Sequence, residues 1–112
     1  MRILVIEDEL QLAGHITRAL VRRGHLASAQ HDGALGLQAA LTDPPDLVVL
    51  DLGLPGLDGL GVLAKLRQAQ SLARILILTA RGEVEHRVKG LVQRQLETGM
   101  APTRFRHGFW RW

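Results

Sequence analysis

The sequence lacks cysteine and tyrosine, and its 112 residues include only two tryptophans, two phenylalanines and two lysines. The absence of cysteine excludes disulfide bonds and thiolate metal sites, and it is compatible with a reducing cytoplasm, where we expect the protein to reside. No apolar run is long enough to span a bilayer, because the short run Ile3 to Ile6 is followed directly by three acidic residues. We therefore expect neither export nor membrane insertion.

Charge and aromatic residues are distributed unevenly along a chain that has the overall composition of a globular protein, with 46% hydrophobic and 22% charged residues. Residues 1–91 contain ten basic and ten acidic residues, whereas residues 92–112 contain four arginines and one glutamate. The same tail holds every aromatic residue, namely Phe105, Phe109, Trp110 and Trp112. The composition predicts one folded domain over residues 1–91 and an atypical basic and aromatic tail over residues 92–112.

Short aliphatic runs alternate with stretches of helical period, a pattern typical of a parallel sheet covered by helices on both faces. The predicted strands are Arg2 to Ile6, Leu26 to Ala29, Leu47 to Leu50 and Ile75 to Leu78. Gly24 is predicted to end the first helix, and Pro44 and Pro45 follow the second. A fourth helix is predicted from Val84 to about Leu96, and nothing after it resembles a fifth βα unit.

Oxygen-bearing side chains follow three of the predicted strands. Glu7 and Asp8 come directly after the first strand, Asp51 ends the third, and Thr79 ends the fourth. The carboxyl ends of parallel strands meet at one edge of the sheet, so we expect these four residues to lie close together. Grouped carboxylates repel each other, and a hard divalent cation such as Mg²⁺ is the simplest way to offset that repulsion.

Three segments resemble, in order and spacing, the receiver domain of bacterial two-component response regulators, in particular those with a winged-helix DNA-binding domain. They are Ile3 to Glu9, Asp51 to Gly59 and Ile77 to Arg81. The resemblance runs to about Leu91 and implies a flavodoxin-like, doubly wound α/β fold. The strand order 2-1-3-4-5 is known for this family and is carried over from it. It implies a phosphorelay signalling module rather than an enzyme.

The resemblance also assigns roles to single residues. Asp51 would be the phosphoacceptor, and Mg²⁺ would be held by Glu7, Asp8, Asp51 and the backbone carbonyl of Gly53. Thr79 would contact the phosphoryl group through its hydroxyl and act as the switch, and Ala80 would contact it through its backbone amide. The implied partners are a sensor histidine kinase that docks on the first helix and, in some arrangements, a second copy in a homodimer. No DNA-binding element is recognised in this chain.

The sequence departs from the family after residue 91, where we find no fifth strand, no lysine followed by proline and no aromatic switch residue. The only lysines are Lys65 and Lys89, both on predicted helices. Loss of one charge-assisted contact is expected to slow phosphorylation or weaken switching by about ten- to a hundred-fold. Without a fifth strand, the fourth strand is predicted to be an exposed apolar edge.

Two explanations for the tail remain open. The favoured one is a truncation by a change of reading frame after about Leu91. The other is a replacement segment that restores the sheet edge or binds a partner such as single-stranded nucleic acid or a membrane surface.

Two alternative functions also remain. One is a non-phosphorylated module that binds a kinase or a dimer partner. The other is an aspartyl-phosphate phosphatase, against which Gly53 argues because glycine cannot act as a general acid. The five histidines are interpreted as surface or half-buried residues with no assigned role.

Overall fold

In the computed structural model of the chain, which describes residues 1–54, 56–78, 103–104 and 109–111, helices and strands alternate up to residue 78. The elements in chain order are β1 (Arg2–Ile6), α1 (Leu10–Arg22), β2 (Leu26–Gln30), α2 (Gly33–Thr42), β3 (Leu47–Asp51), α3 (Gly59–Gln68), β4 (Arg74–Leu78), β5 (Thr103–Arg104) and β6 (Phe109–Arg111). All four predicted strands and the first three predicted helices are present. None of the described helices is long and apolar enough to cross a membrane.

The strands form one sheet in the order β2-β1-β3-β4-β6-β5. β1 to β4 pair in parallel, as the predicted doubly wound fold requires, because each is followed or preceded by a helix that crosses over the sheet. The predicted order is confirmed for the first four strands. The predicted fourth helix, Val84 to Leu96, lies outside the described residues.

The far side of β4 is paired rather than exposed, so the prediction of an unpaired apolar edge at this strand is wrong. β6 runs antiparallel to β4, with Leu78 opposite Phe109 and Leu76 opposite Arg111, and β5 pairs with β6 in turn. The physical reason is that the unpaired N–H and C=O groups of β4 are satisfied by backbone groups of the tail. This is the outcome expected of a segment that restores the edge. The origin of the tail in a change of reading frame stays a prediction.

The core lies on both faces of the sheet, which explains why the strands are almost entirely apolar. Alternate residues of β1 point to opposite faces: Leu4 and Ile6 join the larger cluster beneath α2 and α3, and Ile3 and Val5 join the smaller one beneath α1. The larger cluster also contains Val48, Leu50, Leu52, Leu54, Val62, Leu63, Leu66, Ile75 and Ile77. This packing fixes the positions of the strand ends.

The helix ends are set by local backbone chemistry. Gly24 adopts a φ of +89° just after α1, which confirms the predicted helix stop and explains the glycine. Asp32 caps α2 by accepting a hydrogen bond from the N–H of Leu35 at 3.0 Å, and Asp58 caps α3 by accepting one from the N–H of Gly61 at 2.8 Å. The sequence analysis did not identify these two caps, although an aspartate before a helical stretch is a recognisable signal.

Candidate functional site

Three acidic side chains meet at the carboxyl ends of two neighbouring strands. β1 and β3 are adjacent and in register, with Ile6 opposite Leu50, so the residues that follow lie side by side. One carboxylate oxygen from each of Glu7, Asp8 and Asp51 lies within 4.8 Å of the others. The expected convergence of these three residues is therefore present. Thr79 and Ala80 lie outside the described residues, and their roles stay predictions.

Glu7 is the most buried member of this acidic cluster (Glu7, Asp8 and Asp51), with a relative exposure of only 4%. Its Oε1 accepts a hydrogen bond from the N–H of Glu9 at 3.2 Å, whereas its Oε2 is buried with no hydrogen-bond partner. A buried carboxylate oxygen without a partner is unfavourable and rare in folded proteins, because the lost hydration is not replaced. This oxygen therefore points to a ligand that completes its environment.

Burial, reinforced by the neighbouring Asp51 carboxylate, raises the pKa of Glu7 to about 7 from its ordinary value of 4.5. Burial penalises the ionised form by removing water. Asp51 favours the protonated form because a protonated Glu7 can donate a hydrogen bond to it, and also because two ionised carboxylates repel each other. A buried carboxyl group whose pKa is raised this far beside a second carboxylate is typical of a functional site. A cation bound beside it would favour the ionised form instead.

His31 contributes to the site in a way that the sequence analysis missed. Its Nδ1 lies 2.9 Å from the backbone carbonyl oxygen of Glu7. A carbonyl oxygen only accepts hydrogen bonds, so this ring nitrogen must be the donor. The contact ties the turn after β2 to the end of β1, where Glu7 begins the acidic cluster. No spacing in the sequence signals it, because the two residues are brought together only by strand pairing.

Asp51 is half-buried and is held by the loop that follows it. Its Oδ1 accepts a hydrogen bond from the N–H of Gly53 at 3.2 Å. Gly53 itself is exposed. The described contacts do not place its carbonyl in the acidic cluster, so its role as a metal ligand stays a prediction.

The two other glycines of this loop serve different purposes. Gly56 has a φ of +72°, which glycine adopts without strain. Gly59 has no such backbone angle. A Cβ on Gly59 would lie 2.3 Å from the backbone oxygen of Asp51, so this position needs glycine because α3 begins in contact with the end of β3. Relief of backbone strain therefore explains Gly56, and close packing explains Gly59.

The acidic cluster fits a hard divalent cation. Its three carboxylates are oxygen ligands of the kind that Mg²⁺ prefers, their negative charges repel in the absence of a cation, and one buried oxygen lacks a partner. Two cavities formed by described residues, of about 410 and 470 Å³, lie instead at the amino ends of the strands, beside Leu26 and Met1 respectively.

Sequence comparison gives a family match over most of the chain. The profile of the response regulator receiver domain matches residues 3–98. The transcriptional activator protein IrlR of Burkholderia pseudomallei is 46% identical over 91 residues, which are 81% of this chain and 39% of IrlR. The transcriptional regulatory protein CusR of Escherichia coli is 38% identical over 91 residues, which are 81% of this chain and 40% of CusR. The chain thus spans about two-fifths of the length of these relatives.

Solved structures agree with the sequence match. The receiver domain of the Francisella response regulator 1452 superimposes with a TM-score of 0.72 at 29% identity, covering 80% of this chain and 74% of that one. The response regulator protein TrrA of Thermotoga maritima, in complex with Mg²⁺-BeF, superimposes with a TM-score of 0.73 at 29% identity, covering 80% and 78%. The similarity therefore extends from sequence motifs to the arrangement of strands and helices over 80% of the chain.

Proposed function

Because this chain belongs to the response regulator receiver family, we propose that it takes part in phosphorelay signalling by accepting a phosphoryl group on Asp51. The observation that carries the proposal is the acidic cluster, in which Asp51 lies beside a buried glutamate with an unpartnered oxygen. The relatives are named as transcriptional regulators. A role of the whole protein in transcriptional control is part of the same proposal.

The chemistry needs a carboxylate that an incoming phosphoryl donor can reach. The side chain of Asp51 is only half-buried, and its Oδ1 is held by the N–H of Gly53, which supports its role as the acceptor. An oxygen of Asp51 would form a bond to phosphorus as the bond between phosphorus and the donor breaks, and the donor leaves with that electron pair. In the cell the donor would be a phosphohistidine on a sensor kinase, as the family implies.

Glu7, Asp8 and Asp51 would hold Mg²⁺. A bound Mg²⁺ neutralises the charge that otherwise keeps an anionic donor away from an anionic acceptor. The part of the chain described here contributes the acidic ligands, the backbone N–H that orients Asp51 and the contact from His31 that fixes the end of β1. The backbone carbonyl of Gly53, the hydroxyl of Thr79 and the amide of Ala80 are proposed to complete the site.

The positions of the lysines support a slower reaction than is usual for the family. Lys65 is exposed in the last turn of α3, at the opposite end of that helix from the loop that follows Asp51. Lys89 lies outside the described residues. With Lys65 excluded by its position, we infer that no lysine of the described residues contacts the phosphoryl group. Phosphorylation without such a contact would proceed about ten- to a hundred-fold more slowly than with one.

Intact-mass measurement after incubation with acetyl phosphate and Mg²⁺ tests the proposal. We expect the wild-type chain to gain the mass of one phosphoryl group, and we expect the Asp51→Asn variant to gain none. Asp46→Asn is a matched control, because Asp46 directly precedes β3 and Asp51 ends it. This control should be phosphorylated as well as the wild type. Equal phosphorylation of wild type and Asp51→Asn would refute the assignment of Asp51.

A further inference from the structure

The outer edge of β2 lacks the features that usually prevent a second strand from pairing with an edge strand. β2 is the first strand in the sheet order, and among the described residues no strand pairs with its outer side. Edge strands are normally protected by charged residues, proline or a bulge. β2 has none of these protections, because its sequence is Leu26-Ala27-Ser28-Ala29-Gln30 and its pairing with β1 is regular over all five residues.

Hydrogen bonds at the two ends of β2 show which backbone groups face outward. The N–H of Leu26 donates to the carbonyl of Met1 at 3.1 Å, and the carbonyl of Gln30 accepts from the N–H of Glu7 at 3.0 Å. Backbone groups of alternate residues in a strand point to opposite sides, so Leu26, Ser28 and Gln30 face β1. The N–H and C=O groups of Ala27 and Ala29 therefore face away from the sheet, beside small side chains that leave them accessible.

This pattern is self-complementary in one antiparallel register. If two copies of β2 meet around a twofold axis at Ser28, Ala27 of each copy lies opposite Ala29 of the other. Each such pair exchanges two N–H···O=C bonds, which makes four bonds for the two copies. The two Ser28 residues then form the central non-hydrogen-bonded pair, and all five residues of each strand are paired.

The charges of α1 fit the same arrangement. α1 packs mainly on β2, so antiparallel pairing of the strands sets the two copies of α1 side by side in opposite directions. The amino end of α1 is preceded by exposed Glu9, and its carboxyl end carries exposed Arg18, Arg22 and Arg23. Within the described part of the chain these four residues have no ion-pair partner, since the one ion pair there joins Arg2 and Asp43. The twofold axis brings the acidic end of each helix toward the basic end of the other.

We propose that the chain forms a symmetric homodimer through antiparallel pairing of β2 with β2 of a second copy, centred on Ser28. The interface extends the sheet from one copy into the other and covers the exposed side chain of Leu26, which is 72% accessible in the single chain. It uses the edge opposite β5 and β6 and does not involve the carboxylates of the acidic cluster. The dimer therefore forms independently of phosphorylation at Asp51.

Sedimentation over a concentration series tests the proposal with the full chain and no phosphoryl donor. Ser28→Lys places two like charges directly opposite each other at an exposed position, and we expect it to raise the dimer Kd at least about ten-fold, or ~1.4 kcal/mol. Ala64→Lys adds the same charge at an exposed position on α3 and should leave the Kd unchanged. A wild type that stays monomeric throughout its soluble range, or an unchanged Kd for Ser28→Lys, would overturn the proposal.

Cysteine cross-linking gives an independent test, because the natural chain has no cysteine. The Cα atoms of a central non-hydrogen-bonded pair lie about 4.5 Å apart, within the range that a disulfide spans. Under mild oxidation, Ser28→Cys should form a covalent dimer much faster than Ala64→Cys. Equal rates would contradict the interface. The Ser28→Lys variant should still be phosphorylated on Asp51, so failure of the dimer and failure of the phosphoacceptor assignment give different results.

Discussion

The amino and carboxyl ends of the parallel strands carry similar numbers of acidic side chains, but these side chains are paired with basic or N–H groups to different extents. At the amino ends, Asp46 accepts a hydrogen bond from the N–H of Arg2 at 2.7 Å, and Asp43 forms an ion pair with the guanidinium of Arg2. At the carboxyl ends, Glu7 and Asp51 lie close together, and no cation of the described residues pairs with either. Unsatisfied charge, rather than charge alone, therefore distinguishes the carboxyl ends of the strands, where the proposed phosphoacceptor lies.

Glu7→Gln should have the largest effect on stability at the carboxyl ends. The substitution removes the penalty of ionising a buried carboxyl group, so the metal-free variant at pH 8 should be more stable than wild type by about 2–3 kcal/mol. It should also weaken Mg²⁺ binding by removing one charged ligand. Urea unfolding, with and without Mg²⁺, measures both effects. A less stable variant that binds Mg²⁺ like the wild type would show that the Glu7 carboxylate is satisfied in the metal-free chain, as the carboxylates at the amino ends are.

The carboxyl ends of the strands should also make the free energy of unfolding depend on pH, through the titration of Glu7. The pKa of Glu7 is raised in the folded chain to about 7 from 4.5, so between these values the folded state holds a proton that the unfolded state has lost. The contribution of this group is therefore fully present below pH 4.5 and is lost as the pH rises through 7.

For the metal-free chain, this loss amounts to about 2 kcal/mol between pH 5 and pH 7. The difference in unfolding free energy between wild type and Glu7→Gln isolates it, because other titrating groups cancel in the difference. A difference that is constant with pH would show that Glu7 titrates normally.

Substitutions at the amino ends should give smaller changes and of the opposite sign. Asp46→Ala removes the acceptor for the N–H of Arg2 and should lower the free energy of unfolding by about 1 kcal/mol. Asp43→Asn breaks an ion pair whose partners are 46% and 75% exposed and should change it by less than about 0.5 kcal/mol. Chemical denaturation at two salt concentrations measures both. A stabilising effect of either substitution would mean that the amino ends also hold unsatisfied charge.

The positions of the three carboxylates were predictable because aliphatic runs in the sequence show where the strands end. An aliphatic run followed by Glu7 and Asp8, and another ended by Asp51, is enough to place three carboxylates at one sheet edge once the strands are known to be parallel. The contact of His31 with the backbone of Glu7 was not predictable, because it joins residues 24 positions apart through a turn whose shape no local pattern specifies.

The second edge of the sheet shows where sequence reasoning failed. The different composition of the tail favoured a chain end that does not complete the fold and hence an unpaired β4, with a segment that restores the sheet edge as the alternative. Backbone pairing does not depend on composition, because every residue other than proline offers the same N–H and C=O groups. Three residues, Phe109–Arg111, therefore join the sheet beside β4 without any sequence signal of a fifth βα unit.

The alternation of strands and helices, the two-sided burial of the strands and the identity of the acidic residues could all be read from the amino-acid sequence, because periodicity and side-chain chemistry act locally. Three features required the folded chain: among the described residues, one oxygen of Glu7 is buried without a hydrogen-bond partner, β6 pairs with β4, and no strand pairs with the outer side of β2. The physical reason is that burial and backbone pairing are set by segments distant in the chain, which no local pattern records.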